Sequence, residues 1–204
     1  MIRAATAADL DAIMLIERRS FPTDAWSAEL MAAELSSPHG RYLVDVEPVA
    51  DSGAQSAGGE VVVGYGGVRA LRGSADSDIQ TIALDAAHRG SGRGRALLRA
   101  LLAEAAERGA HEVFLEVRAD NPVAQGLYLS EGFAEIGRRA GYYQPDDVDA
   151  VIMRLDLRAW TSRGPAVADA SVQDGRTNAG SEEDPTGSVL QNVRNPADVK
   201  GSDD

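Results

Sequence analysis

Ile79-Gln80-Thr81-Ile82-Ala83-Leu84-Asp85, then Ala86-Ala87-His88-Arg89-Gly90-Ser91-Gly92-Arg93-Gly94, then the run from Arg95 to Gly109, decide how this chain folds. The first part reads as a strand and the second as a glycine-rich turn. The third is an amphipathic helix with Leu97, Leu98, Leu101, Leu102 and Ala105 on one face, ended by Arg108 and Gly109. Glycines at every second position let successive backbone N–H groups converge on one point. With the first turn and dipole of a helix behind them, such a loop suits a phosphate or pyrophosphate, and Arg89, Arg93 and Arg95 add positive charge. A turn that merely links strand to helix has the same composition.

Two phosphate-binding patterns fail here. A nucleoside-triphosphate loop needs Lys after its last glycine, where this chain has Arg95, and its one Lys is Lys200. The dinucleotide spacing G-x-G-x-x-G would put its third glycine on Arg95. The pattern present, Arg89-x-x-Gly92-x-Gly94 after Ile82-Ala83-Leu84, resembles the acetyl-CoA loop of the GNAT N-acetyltransferases.

Composition narrows the class further. The chain has 204 residues, 44% of them hydrophobic, enough for one domain with a substantial core. Cys is absent and His39, His88 and His111 are scattered without ligand spacing, so neither a disulfide framework nor a metal site is expected. Asp9, Asp11 and Glu17 interrupt the first 20 residues, and no run reaches the roughly 18 apolar residues of a membrane span, so the expectation is a soluble, cytoplasmic protein. A formal net charge of −12 disfavours direct nucleic-acid binding and favours cationic partners.

In chain order, Ile2 to Ala5 reads as a short strand, Asp9 to Arg19 as a helix and Ala28 to Leu35 as a second helix capped by Ser27. In the connection between them, Phe21 and Trp26 either pack the corner of the two helices or wall a peptide groove. Arg41 to Val46 and Glu60 to Leu71 are strands, with a mobile loop expected from Pro48 to Gly59 and a turn from Ser74 to Asp78. After the central helix come a strand at Glu112 to Val117 and a helix from Asn121 and Pro122 to Glu131, ended by Gly132. Phe133 to Arg138 and Ala150 to Leu157 then form closing strands around a loop from Arg139 to Asp149. Hairpins first and helix-separated strands later indicate an α+β class: a mixed, mostly antiparallel sheet of about six to seven strands flanked by about four helices. Residues 1–158 form the domain. Residues 159–204, rich in Gly, Ser, Asp, Asn and Pro from Thr161 on, are expected to be a disordered acidic tail.

Transfer of an acetyl group to an amine needs a base for the amine and an acid for the leaving thiolate. Glu116 is the candidate base, because an acid within Val113-Phe114-Leu115-Glu116-Val117 loses solvent that would favour its charged form. Tyr128, on the following helix and on the face of Ala124, is the candidate acid. A strand-end ion pair with Arg118 and a plain core tyrosine are the bland alternatives.

Leu115-Glu116-Val117-Arg118-Ala119-Asp120-Asn121 with Ala124, Leu127-Tyr128 and Glu131-Gly132-Phe133 resembles the ribosomal-protein-alanine N-acetyltransferases of the RimI type. Gly141-Tyr142-Tyr143 and Asp149 to Met153 extend the resemblance, which covers Ile2 to about Leu157. It implies the GNAT fold, acetyl-CoA as co-substrate without a metal, and a protein N-terminus as acceptor, in particular a ribosomal protein beginning with Ala. It also implies Glu116 as proton acceptor and Tyr128 as proton donor. Ile82, Ala83 and Leu84 would offer backbone groups to the acetyl and pantetheine portions, and Arg89, Gly90, Ser91, Gly92, Arg93, Gly94 and Arg95 would hold the pyrophosphate. Asn121, also the natural helix cap, would contact the cofactor, and Phe21, Trp26, Tyr142 and Tyr143 would line the acceptor site. A GNAT enzyme acting on a small amine or a Lys side chain and a non-catalytic acyl-CoA-binding module are the rival readings. Oligomeric state is not legible in the sequence.

Overall fold

In a computed structural model that describes residues 1–49 and 59–163, seven strands form one sheet in the order β1-β2-β3-β4-β5-β7-β6. These are β1 (Ile2–Ala4), β2 (Gly40–Pro48), β3 (Glu60–Ala70), β4 (Asp76–Leu84), β5 (Glu112–Arg118), β6 (Ala134–Tyr143) and β7 (Val148–Asp156). Every neighbouring pair is antiparallel except β4 with β5. Helices α1 (Leu10–Ser20) and α2 (Ala28–Ser36) cover one face. The other face carries α3 (Arg93–Glu107), α4 (Pro122–Glu131) and α5 (Leu157–Ser162). The expected α+β sheet is thus present, with a fifth helix among the described residues.

Strand alternation sorts the side chains into two cores. Ile82 of β4 and Val113, Leu115 and Val117 of β5 pack under Leu97, Leu98, Leu101 and Leu102 of α3. Ala83 of β4, Tyr65 of β3 and Val44 and Val46 of β2 pack with Ile13, Ile16 and Met31 of α1 and α2. The close seat of α3 explains Gly66 of β3: a Cβ there would lie 2.9 Å from Leu101 Cδ1 and 3.1 Å from the Thr81 carbonyl.

β4 and β5 pair only from Asp76↔Glu112 to Asp78↔Phe114, although both strands run on, to Leu84 and Arg118. Beyond that point they diverge and the sheet has an internal seam. The expected turn at Ser74 to Asp78 therefore ends earlier, because Asp76 to Asp78 are this short parallel ladder.

The closing hairpin is longer than its sequence pattern indicated. β6 continues to Tyr143 through register shifts, β7 starts at Val148, and residues 144–147 alone make the turn. As an edge strand β6 is largely solvent-exposed, so it lacks the alternation that identifies a half-buried strand. The expected boundary at residue 158 also moves. α5 runs to Ser162, with Asp156 capping it through Ala159 N–H at 2.9 Å and Trp160 against the core. Residues 50–58 of the expected Pro48 to Gly59 loop and residues 164–204 of the expected tail lie outside the described residues. Among the described residues, no helix is long and apolar enough to cross a membrane.

Candidate active site

The seam is bounded by the free edge of β4. Asp85 N–H donates to the Val63 carbonyl at 2.8 Å, so in an antiparallel ladder Asp85↔Val63 and, two residues back, Ala83↔Tyr65 are the hydrogen-bonded pairs. The backbone groups of Ile82 and Leu84 therefore point away from β3 and into the seam. Arg89 Nε occupies one of them, donating to the Leu84 carbonyl at 3.2 Å. Of the expected Ile82, Ala83 and Leu84, Ala83 is committed to the sheet and the other two face the seam.

At the mouth of the seam, Gly90 and Gly92 take φ of 73° and 83°, the left-handed region that glycine supplies without penalty. A Cβ on either would meet nothing within 4 Å, so the outer face of the loop is open. The first α3 bond runs from Ala96 N–H to the Gly92 carbonyl, which leaves the N–H groups of Arg93, Gly94 and Arg95 ahead of the helical ladder. The basic side chains are anchored elsewhere. Arg93 binds Asp45 at 2.8 Å and also Glu47, while Arg95 binds Ser130 at 3.0 Å and Glu131 at 2.6 Å. Ser91 Oγ turns back to the His88 carbonyl at 2.8 Å. The loop thus presents backbone N–H groups on its open side. The guanidiniums, expected as direct contacts, brace the loop.

Glu116 and Tyr128 flank the seam from opposite faces. Glu116 shares the α1/α2 face, is 8% exposed, and its Oε1 lies 2.9 Å from Arg139 Nη1. The bland alternative, a pair with Arg118, is not formed: Arg118 binds Asp120 at 2.9 Å and Asp146 at 3.0 Å. Tyr128 lies in the α3 core, fully buried, edge-on to Phe133 at 5.6 Å. Among the described residues its hydroxyl has no hydrogen-bond partner, and burial drives its pKa well above that of an ordinary phenol. An orphaned buried hydroxyl costs about 1–3 kcal/mol, which a bound group that accepts its proton would offset.

Tyr143 belongs to the α1/α2 core. It is 3% exposed with an orphaned hydroxyl. Its pKa is raised first by burial and then by Glu116, Tyr142, Tyr128 and Asp24, so base candidate, acid candidate and Asp24 act on one hydroxyl. Tyr142 packs edge-on to it at 5.2 Å, with Arg118 5.2 Å from the Tyr143 ring centre and Arg139 5.5 Å from that of Tyr142.

The other expected residues divide. Asn121 Oδ1 accepts from Ala124 N–H at 3.0 Å, so its side chain caps α4. Phe21, 1% exposed, is a core residue of the α1–α2 corner, which corrects its reading as a groove wall. Trp26 is 7% exposed in the same core; its N–H donates to Glu17 Oε1 at 2.9 Å, and its ring Nε1 is buried without a partner. Sequence reasoning missed Arg139 and Asp24. Ending β6 at Arg138 left Arg139 in a loop, where strand parity could not assign it a face.

The seam, the open N–H loop and the orphaned phenol fit a thioester joined by a long arm to a diphosphate. The model of the acetyltransferase (GNAT) family matches residues 10–133. The N-alpha-acetyltransferase RimI of Mycobacterium tuberculosis is 39% identical over 158 residues, covering 76% of this chain and 91% of that protein. The chain belongs to the GNAT acetyltransferase family. As such it is an acetyl-CoA-dependent N-acetyltransferase. The crystal structure of the ribosomal-protein-S18-alanine N-acetyltransferase from Escherichia coli superposes with a TM-score of 0.63 at 27% identity, covering 84% of this chain and 99% of that one. Arabidopsis thaliana NAA60 in complex with acetyl-CoA, at 18% identity and a TM-score of 0.66 over 78% of this chain and 98% of that one, shares the fold.

Proposed function

We propose that this acetyltransferase modifies the N-terminal amine of a protein, in particular a ribosomal protein beginning with Ala, and that Glu116 and Tyr128 are its base and acid. The observation that carries the reading is the seam: pairing of β4 with β5 stops at Asp78↔Phe114, and a buried carboxylate and an orphaned phenol flank the gap from opposite faces. The names of the M. tuberculosis and E. coli relatives support the acceptor class.

Acetyl-CoA supplies the activated acetyl group. The N–H groups of Gly90 to Arg95 hold its diphosphate, and the Ile82 and Leu84 backbone groups orient its arm. From the α1/α2 face, Glu116, paired with Arg139, accepts the proton that an incoming ammonium must lose. From the other face, Tyr128 gives its proton to the departing sulfur. Tyr142 and Tyr143 line the acceptor side.

Thiol release and mass spectrometry on three acceptors test the reading. These are an Ala-initiated peptide with a free N-terminus, the same peptide N-terminally blocked but carrying a Lys, and a small polyamine. Only the first should be modified; acetylation confined to either of the others overturns the acceptor assignment. Glu116→Gln and Tyr128→Phe should each lower kcat by about 10²-fold with acetyl-CoA binding retained. An unchanged kcat in either removes that residue from the chemistry.

A further inference from the structure

One carboxylate outside the chemistry ties three helices together. Glu131, the last residue of α4, has a side chain only 2% exposed. It accepts from Arg95 Nη1 at 2.6 Å in the first turn of α3, from Arg99 Nε at 3.1 and 3.0 Å one turn on, and from Trp160 Nε1 of α5 at 3.4 Å. Burial works to raise its pKa, but Arg99 and Arg95 outweigh burial and hold it below the ordinary carboxylate range. The joint is closely covered, since a Cβ on the next residue, Gly132, would lie 2.8 Å from Arg163 Nη2.

A buried ion pair is an inefficient source of stability, because apolar side chains of matched volume often serve as well or better. What it does supply is a fixed geometry, and here the groups so fixed matter. The first turn of α3 belongs to the N–H loop that faces the diphosphate. Tyr128 precedes Glu131 by three residues and lies on the same side of α4. A substrate gripped at its diphosphate reaches the phenol with an arm of set length, and a misplacement of about 1 Å can cost about 10²-fold in rate.

We propose that Glu131 is a positioning residue: by locking α4 to the first turns of α3, it sets the span between the anion-binding loop and the Tyr128 hydroxyl. This rests on the acid role given to Tyr128 above.

A double-mutant cycle tests it, with kcat, the KM for acetyl-CoA and the melting temperature measured for the wild type, Glu131→Gln, Tyr128→Phe and the double variant. Glu131→Gln should lower kcat about tenfold in the wild-type background and less than about twofold in Tyr128→Phe, with the KM for acetyl-CoA moving less than about threefold. An equal drop in both backgrounds, or none, overturns the proposal and leaves the acid role of Tyr128 intact. An unchanged kcat in Tyr128→Phe alone removes both. If Glu131→Gln does not fold, Arg99→Gln loosens the same joint from its more exposed side and should show the same loss of additivity; additive effects there overturn the proposal equally.

Discussion

At the scale of single residues, Gly92 places a demand on the backbone of the loop itself. Its φ of 83° lies where an L side chain costs about 1–2 kcal/mol, yet a Cβ there would touch nothing. Gly92→Ala thus introduces backbone strain without a clash inside the protein. It should lower stability by about 1 kcal/mol in urea unfolding and raise the KM for acetyl-CoA several-fold, because relieving the strain turns the loop N–H groups. The placement of Glu116 on a strand and of Tyr128 on a helix was legible because an acid in an apolar strand and a tyrosine at helical spacing carry their own signals. Phe21 was read two ways, as corner packing and as a groove wall, and its local sequence could not choose between them. Its neighbours Pro22, Thr23 and Asp24 are turn-formers, and its burial comes from helices packed above it, which local composition does not encode. The side-chain anchoring of Arg93 and Arg95 was equally hidden, since Asp45 and Glu131 are distant in the chain.

At the scale of elements, the connection between α1 and α2 is held by a buried acid. Glu17 accepts from Trp26 N–H at 2.9 Å and from the Tyr65 hydroxyl, whose oxygen is also 3.4 Å from Thr81 Oγ1. Burial raises the pKa of Glu17 above the unfolded value of 4.5, against these two donors. A raised pKa means that the folded state binds the proton more tightly than the unfolded chain does. The ionised acid therefore costs stability above its folded pKa, and that cost fades as pH falls toward 4.5. Gln at this site keeps an acceptor for Trp26 without the charge. The melting temperature of Glu17→Gln relative to the wild type should be highest near pH 8 and decline toward pH 5; a difference independent of pH would show that Glu17 does not titrate across that range. The helix α3 was readable from its leucine spacing and glycine ends. The strand β6 was not, because an exposed edge leaves no apolar record of its length.

For the whole molecule, α5 extends the packed unit past Arg158. Trp160 packs on the α3 core and donates to Glu131, and Arg163 covers the end of α4. A chain ending at Arg158 should therefore melt several degrees below one ending at Arg163, and equal melting temperatures would remove α5 from the domain. The mixed, mostly antiparallel sheet followed from the pattern of hairpins and crossovers. The splay of the strands at Ile82 and Glu116 was implied by the family resemblance alone, because divergence depends on where two distant segments stop pairing, which neither segment states by itself. That divergence has a mechanical consequence. With only Asp76 to Asp78 bonded to Glu112 to Phe114, β1 to β4 and β5 to β7 are two half-sheets sharing a short strap, and a ligand lying between them acts as a rivet. At a concentration of about 100 Kd, binding adds about 2.7 kcal/mol, and amide exchange at Ile82 and Leu84 should slow far more than at Ala83, whose backbone already belongs to one half.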